Sequence, residues 1–254
     1  MLSKNQIKLI RSLQQKKCRD LHGMFLVEGI KIVQEAIDSD FEIHSVYSTD
    51  CSKFIPILLG QNSKFEISGI SEKELEHISG LKTPNETLAV VRQKKQELPD
   101  FSTLKNRLTL VLDGISDPGN LGTIIRTADW FGIENIICSE NSVDLYNPKV
   151  VQATMGSVFR VSVHYVNLVD WLKTNSVSKT ASVYVYACTL KGKSIYEQAI
   201  TKKGLVILGS ESHGISKDVL TLADYQISIP SFGKAESLNI AVAAGVVCGE
   251  FKRS

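Results

Sequence analysis

The sequence predicts an α/β protein with a larger C-terminal domain built on a parallel sheet and a smaller α/β domain before it. Three observations carry this. First, short apolar runs rich in valine and isoleucine recur between helical stretches after Leu108. Strands buried on both faces read this way, and their alternation with helices implies parallel pairing. Second, a polar, charged, proline-interrupted stretch from Gln93 to Arg107 separates these runs from an earlier set, as a domain boundary does. Third, a chain of 254 residues, 43% hydrophobic and 22% charged, has ordinary globular composition. That length allows one large domain or two modest ones.

In the N-terminal part, FLVEG, HSVYST, KFEIS and TLAVVRQ read as strands, with GIKIVQEAIDS and SEKELEHIS as helices between them. This domain is placed at residues 1–95, with a linker at 96–107. In the C-terminal domain, residues 108–254, the strands are LTLVLDG, NIICS, RVSVHYV, SVYVYAC, GLVILGS and QISIP. The final helix, from about Glu236 to Phe251, is apolar almost all round. Leu238, Ala241, Val242, Gly245 and Gly249 form one stripe; Ile240, Ala243, Ala244, Val247 and Phe251 form another. Such a helix is buried on more than one side, either within the monomer or against a second subunit.

The net charge of +2 says little about partners, but its distribution says more. Lys4, Lys8, Arg11, Lys16, Lys17 and Arg19 follow one another with no acidic residue between them. The run reads either as a solvated helix face or as a grip on a nucleic-acid backbone, since lysine and arginine release phosphate counterions. The five cysteines are scattered, with no C-x-x-C pair, which argues against a disulfide framework and a zinc cage. The opening MLSKNQIKLI has no apolar signal core, and no segment approaches the roughly 20 apolar residues of a membrane span. A soluble, cytoplasmic protein without metal is expected.

Three strand-to-loop junctions concentrate the chemistry. SDPGNLGTIIRTADWFG, Ser116 to Gly132, follows the first strand of the C-terminal domain. A dinucleotide-binding loop would need G-x-G-x-x-G, and Gly114, Gly119 and Gly122 have the wrong spacing. Asp117-Pro118-Gly119-Asn120 makes a good β-turn, with Asn120 free to cap the following helix. Neither reading explains Arg126, which lies off the apolar stripe Leu121, Ile124, Ile125, Ala128 and Phe131. An arginine near a strand's carboxyl end offers a fork of donors for a phosphate or carboxylate. LVILGSESHGIS carries Glu211 between Gly209 and Gly214, and IPSFGKAESLNIAVAAG carries Ser237 and Asn239 at the start of the last helix. Together the three junctions predict a pocket.

In this order, the three segments resemble the signature motifs of the SpoU (TrmH) family of RNA ribose 2′-O-methyltransferases, of the SPOUT superfamily. Asn120 and Arg126 match the first motif, Gly209, Glu211 and Gly214 the second, and Ser237, Leu238 and Asn239 the third. LYNPKVVQATMGSVFRVSV reads like the stretch between the first two, and FLVEGIKIVQEAI looks like the family's smaller substrate-binding domain. The resemblance implies a methyltransferase domain with a C-terminal trefoil knot, a homodimer, and S-adenosylmethionine held against Thr189, Leu208, Gly209, Ile229, Pro230 and Leu238. It implies that Asn120, Arg126, Glu211, Ser237 and Asn239 serve the reaction. Only RNA offers a 2′-hydroxyl, so the basic run from Lys4 to Arg19 becomes an expected RNA contact. The separate N-terminal domain favours ribosomal over transfer RNA. A catalytically silent RNA-binding protein of the same fold is the rival reading.

Overall fold

The computed structural model describes residues 2–54, 65–104, 106–176 and 183–253. Lys64 and Ser182, at the ends of two expected strands, and Lys105, in the expected linker, lie outside the described residues. In chain order the elements are α1 (Lys4–Ser12), α2 (Lys16–His22), β1 (Met24–Glu28), α3 (Ile30–Asp38), β2 (Ile43–Ser48), β3 (Glu66–Gly69), α4 (Glu72–Ile78) and β4 (Thr87–Arg92). Then come α5 (Phe101–Leu104), β5 (Leu108–Asp113), α6 (Pro118–Trp130), β6 (Asn135–Ser139), α7 (Pro148–Thr154), β7 (Ser162–Val166) and α8 (Leu168–Ser176). β8 (Val185–Ser194), β9 (Gly204–Gly209), α9 (Lys217–Leu220), β10 (Tyr225–Ser228) and α10 (Ile240–Lys252) follow among the described residues. The chain divides into two compact units, residues 1–95 with 144–159, and residues 96–143 with 160–254.

The first unit is a four-stranded sheet in the order β1-β4-β2-β3, with β4 antiparallel to both neighbours and β2 parallel to β3. Every residue of β1 is buried, so alternate side chains serve two layers. Met24 and Leu26 join Ile10 of α1, Leu13 at its end, and Leu75 and Ile78 of α4. Both helices start at capping boxes, Ser3 with Gln6 and Ser71 with Glu74, the S-x-x-Q/E pattern that satisfies two orphan N–H groups at once. On β1's other side, Phe25 packs against Tyr146 with ring centroids 4.5 Å apart. Phe41 meets Phe159 edge-on. The sequence groups 144–159 with the C-terminal domain, but these aromatic rings complete the N-terminal unit.

The second unit is a six-stranded sheet, order β10-β8-β9-β5-β6-β7, parallel throughout. One face carries Val111, Ile137, Leu205 and Ile207 against Leu168, Trp171 and Leu172 of α8 and Val219 of α9. Leu104 joins this core, so one apolar side chain anchors the polar stretch before β5. α10 lies along α6, and Tyr186 meets Phe251 edge-on at 5.1 Å. Ile240, Ala244, Val247 and Phe251 are buried, while Val242 is 54% exposed. The stripe through Ile240 and Phe251 is therefore largely core, while the other is mixed: Ala241 is buried, and Leu238 and Val242 are exposed.

Two local expectations change. Asp117-Pro118-Gly119-Asn120 is the first turn of α6 and not a free β-turn. Asp117 is the N-cap, accepting the Asn120 N–H at 2.8 Å, and Pro118 sits where its missing N–H costs nothing. The last helix begins at Ile240, not Glu236, because Asn239 caps it: its side-chain oxygen accepts from the N–H groups of Ala241 and Val242.

Candidate active site

β5 has β6 and then β7 on one side and β9 on the other. The strand order therefore reverses at the β5/β9 pair, and the crevice beyond the carboxyl ends at such a switch point is where open α/β sheets bind ligands. Asp113 and Gly209 are register partners at those two ends. The Asp113 carboxylate, nearly buried, accepts the Ser216 N–H at 2.8 Å and ties the loop after β9 to the end of β5. Within that loop, Gly214 takes φ +67° and its N–H returns to the Ser210 carbonyl at 2.8 Å. A side chain on Gly209 would lie 2.1 Å from the Gly214 carbonyl carbon, so only glycine lets the loop fold back this closely. The fold-back presents Glu211 at its tip.

Glu211 meets the other two loops there. Its Oε1 accepts from Asn239 Nδ2 at 2.8 Å and from the Ile240 N–H at 3.2 Å. Asn239 Nδ2 also donates to Asn120 Oδ1 at 2.9 Å. The asparagine amide is fully oriented, with oxygen capping α10 and nitrogen bridging a carboxylate and a second amide. Three segments far apart in sequence, after β5, β9 and β10, are thus locked at one point by charge-assisted and neutral hydrogen bonds.

Beside this point lies a cavity of about 820 Å³, within the range of cofactor sites. Leu208, Ile215, Ile229 and Leu238 give it an apolar wall, and Thr189, Gly209, Pro230 and Ser237 also line it. The Thr189 hydroxyl oxygen is buried, with no hydrogen-bond partner among the described residues. A buried, unpaired hydroxyl in a cavity wall is costly unless a ligand satisfies it. Burial pushes the thiols of Cys188, in the wall, and Cys248, on α10, up to about 12, so neither is poised as a nucleophile.

With this geometry established, the comparisons with known proteins are direct. Residues 107–249 match the model of the SpoU rRNA Methylase family, and residues 4–89 match the MRM3-like substrate binding domain. The chain belongs to the SpoU methylase family. It is 31% identical over 250 residues to RlmP of Bacillus subtilis, a 23S rRNA (guanosine(2553)-2′-O)-methyltransferase, across 96% of this chain and 95% of that one. A solved structure from Porphyromonas gingivalis, of the TrmH family, superposes with a TM-score of 0.86 at 36% identity, covering 100% and 99% of the two chains. The SpoU methyltransferase AviRb of Streptomyces viridochromogenes, solved with AdoMet, gives 0.84 at 26% identity, covering 99% and 98%.

Against this SpoU fold, the expected site residues separate into groups. Asn120, Glu211 and Asn239 form the bonded junction. Thr189, Leu208, Gly209, Ile229, Pro230 and Leu238 all line the cavity, with Ser237 and Glu211. Arg126 stands apart. It begins more than two turns into α6, is exposed, and has no hydrogen bond or ion pair among the described residues. The Glu211 carboxylate is bonded to the loop at Asn239 and Ile240.

The basic run also divides. Lys4, Lys8 and Arg11 fall on one exposed face of α1, and Lys16 and Lys17 are exposed on α2. Arg19 is a correction. It is 2% exposed, bonded through two nitrogens to Asp144 and through Nη1 to the carbonyls of Leu13 and Gln14, so four of its five N–H donors are used and the side chain is too buried to meet a phosphate. Sequence reasoning also assigned nothing to Asp113. The one signal was an acidic residue ending the otherwise apolar run LTLVLD.

Proposed function

We propose that this chain transfers the methyl group of S-adenosylmethionine to a ribose 2′-hydroxyl of RNA, with ribosomal RNA as the substrate. The observation that carries the reading is the Asn120–Asn239–Glu211 junction beside the cavity at the switch point. It joins one polar residue from each of three loops where an in-line transfer needs fixed partners. Two relatives named above support it: RlmP is a 23S rRNA 2′-O-methyltransferase, and AviRb was solved with AdoMet.

The cavity suits that cofactor. Its apolar wall fits an adenine ring, the backbone beside Leu208, Gly209 and Ile229 offers donors and acceptors for ring nitrogens, and the Thr189 hydroxyl awaits a partner. When bound, the sulfonium supplies an already activated methyl group. The protein must hold the 2′-oxygen in line and favour loss of its proton. In this reading Asn120 and Asn239 position the target ribose, Ser237 hydrogen-bonds at the rim, and Glu211 keeps Asn239 in register. Arg126 holds the substrate phosphate and stabilises the developing alkoxide, since a guanidinium does not give up its own proton readily enough to act as a base.

We further read the loops around the cavity as a C-terminal trefoil knot. The β8–β10 register jumps from Gln226/Ala187 to Ile227/Lys193, so Cys188 to Gly192 of β8 bulge from the pairing, and Cys188, Thr189, Leu190 and Lys191 line the cavity. We read the working form as a homodimer. Trp130, 85% exposed one turn beyond Arg126, and Val242, 54% exposed on α10, are large apolar groups awaiting cover. Lys4, Lys8, Arg11, Lys16 and Lys17 then grip the RNA backbone, and the free cysteines suit a reducing cytoplasm.

The test is methyl-labelled S-adenosylmethionine with total RNA from a strain lacking this gene. Label in a ribonuclease-resistant dinucleotide of ribosomal size is expected. Cofactor binding without label in any RNA, free or assembled into subunits, would leave a silent RNA-binding protein.

A further inference from the structure

Phe232 is 96% exposed, more than any other large apolar side chain among the described residues. It does not sit on an idle surface. The loop that carries it runs from Ile229 to Asn239 and lines the cavity. That loop is pinned at both ends. Before it, the Ser228 hydroxyl donates to the Gly192 carbonyl at 2.8 Å; after it, Asn239 is held by Glu211 and Asn120. A firmly anchored loop thus presents a bare ring at the rim of the site. Gly233 follows, with open space where a side chain would stand, and then the exposed Lys234. Exposed Lys191 lines the same cavity.

We infer that Phe232 is a stacking platform for an unpaired base of the RNA at or beside the target nucleotide. This rests on the proposed ribose methylation. For a 2′-hydroxyl to reach the cavity, its sugar must come to the rim, and the base attached to it or to its neighbour leaves its own stack. Proteins that take up splayed RNA bases stack them on aromatic side chains. An aromatic ring flanked by lysines is the arrangement that tracks single strands with little sequence preference. Phe232 replaces the stacking lost in the RNA, while Lys234 and Lys191 meet the adjoining phosphates. Phe232 is a positioning residue and takes no part in bond making.

The experiment compares the wild-type protein with Phe232→Ala, Phe232→Leu and Phe232→Trp. It measures KM for RNA, kcat, cofactor Kd by calorimetry and mass by light scattering. Phe232→Ala is expected to raise KM for RNA by about 5- to 150-fold, with cofactor Kd and mass unchanged. Phe232→Trp restores KM, and Phe232→Leu does not. Single-stranded RNA also quenches the fluorescence of Phe232→Trp beyond that of the wild type. The inference is overturned if leucine serves as well as phenylalanine, if alanine weakens only the cofactor, or if alanine changes only the mass, which would make the ring a contact with a second copy. A wild-type protein that transfers no methyl group would overturn the proposed function instead. The fluorescence of Phe232→Trp with RNA would still decide the stacking.

Discussion

Arg19, in the N-terminal unit, is 2% exposed and divides its guanidinium between Asp144 and the carbonyls of Leu13 and Gln14. Arg126, in the C-terminal unit, stands exposed on α6 with no partner among the described residues. The same side chain does opposite work. A buried guanidinium with four of its five donors engaged by the protein belongs to the fold; an exposed one with its donors idle is available to a ligand. Sequence spacing does not separate them, because the partners of Arg19 include a residue 125 positions away.

The contrast breaks first at Arg19. Arg19→Ala leaves Asp144, itself largely buried, without its cation, together with two bare carbonyls. Removing one partner of a buried pair costs about 3–5 kcal/mol, and chemical denaturation should show a loss of that order. Arg19→Lys keeps the charge but cannot reproduce the fork, and should recover only part. Lys8→Ala and Arg11→Ala should leave stability alone and each lower the salt dependence of RNA binding by about one phosphate contact. If Arg19→Ala moved the salt slope and not the denaturation midpoint, the two arginines would not differ in kind.

Arg126→Ala tests the other side. An unpartnered, exposed arginine gives little to the fold, so the denaturation midpoint should stay put. Methyl transfer should fall by about 10²- to 10³-fold, the scale of losing one donor to a developing anion, with cofactor Kd unchanged. A fall in stability matching the fall in rate would return Arg126 to the fold.

A smaller effect sharpens the comparison at the cavity wall. In the proposed reading the Thr189 hydroxyl is to the cofactor what Arg126 is to RNA, a polar group with no partner among the described residues. Thr189→Val removes an unsatisfied group, so the cofactor-free protein should be no less stable. The cofactor should bind about 3- to 10-fold more weakly, the net worth of one hydrogen bond, as calorimetry would read. Unchanged affinity would mean the hydroxyl faces no ligand.

Why some of this was legible in the sequence and some was not follows from range. The strands announce themselves because valine and isoleucine runs between helices need only local reading. Asn120, Glu211 and Asn239 are each ordinary in isolation, and only their order in three motifs marks them; their meeting through one amide depends on a sheet order that no spacing encodes. The same long range hides Asp113, whose partner is Ser216. It also hides the transfer of residues 144–159 to the N-terminal unit, which rests on rings as distant as Phe25 and Phe159. The turn at Asp117 to Asn120 fails for a local reason. Pro-Gly suits a β-turn and a helix's first turn alike, and the apolar stripe that follows settles it as helix.

The smallest effect belongs to the capping box of α4, and it separates the two units by pH. Glu74 accepts from the Ser71 N–H and hydroxyl and from the Leu2 N–H. The Ser71 N–H is the leading cause that lowers its carboxyl from 4.5 to about 2. A carboxyl depressed in the folded state binds its proton first in the unfolded state as pH falls. Its contribution is therefore complete above about pH 4.5 and disappears between there and about pH 2. Glu74→Gln should be less stable than the wild type at neutral pH, and the gap should close as pH falls through that window. Urea midpoints at pH 6 and pH 2.5, compared between the two proteins, isolate this group from the other carboxylates. The box sits beside the core packing of α1 against α4, so the change should appear in the stability of the N-terminal unit and leave cofactor affinity, which belongs to the C-terminal unit, unmoved. A gap constant with pH would show that the box holds by shape alone.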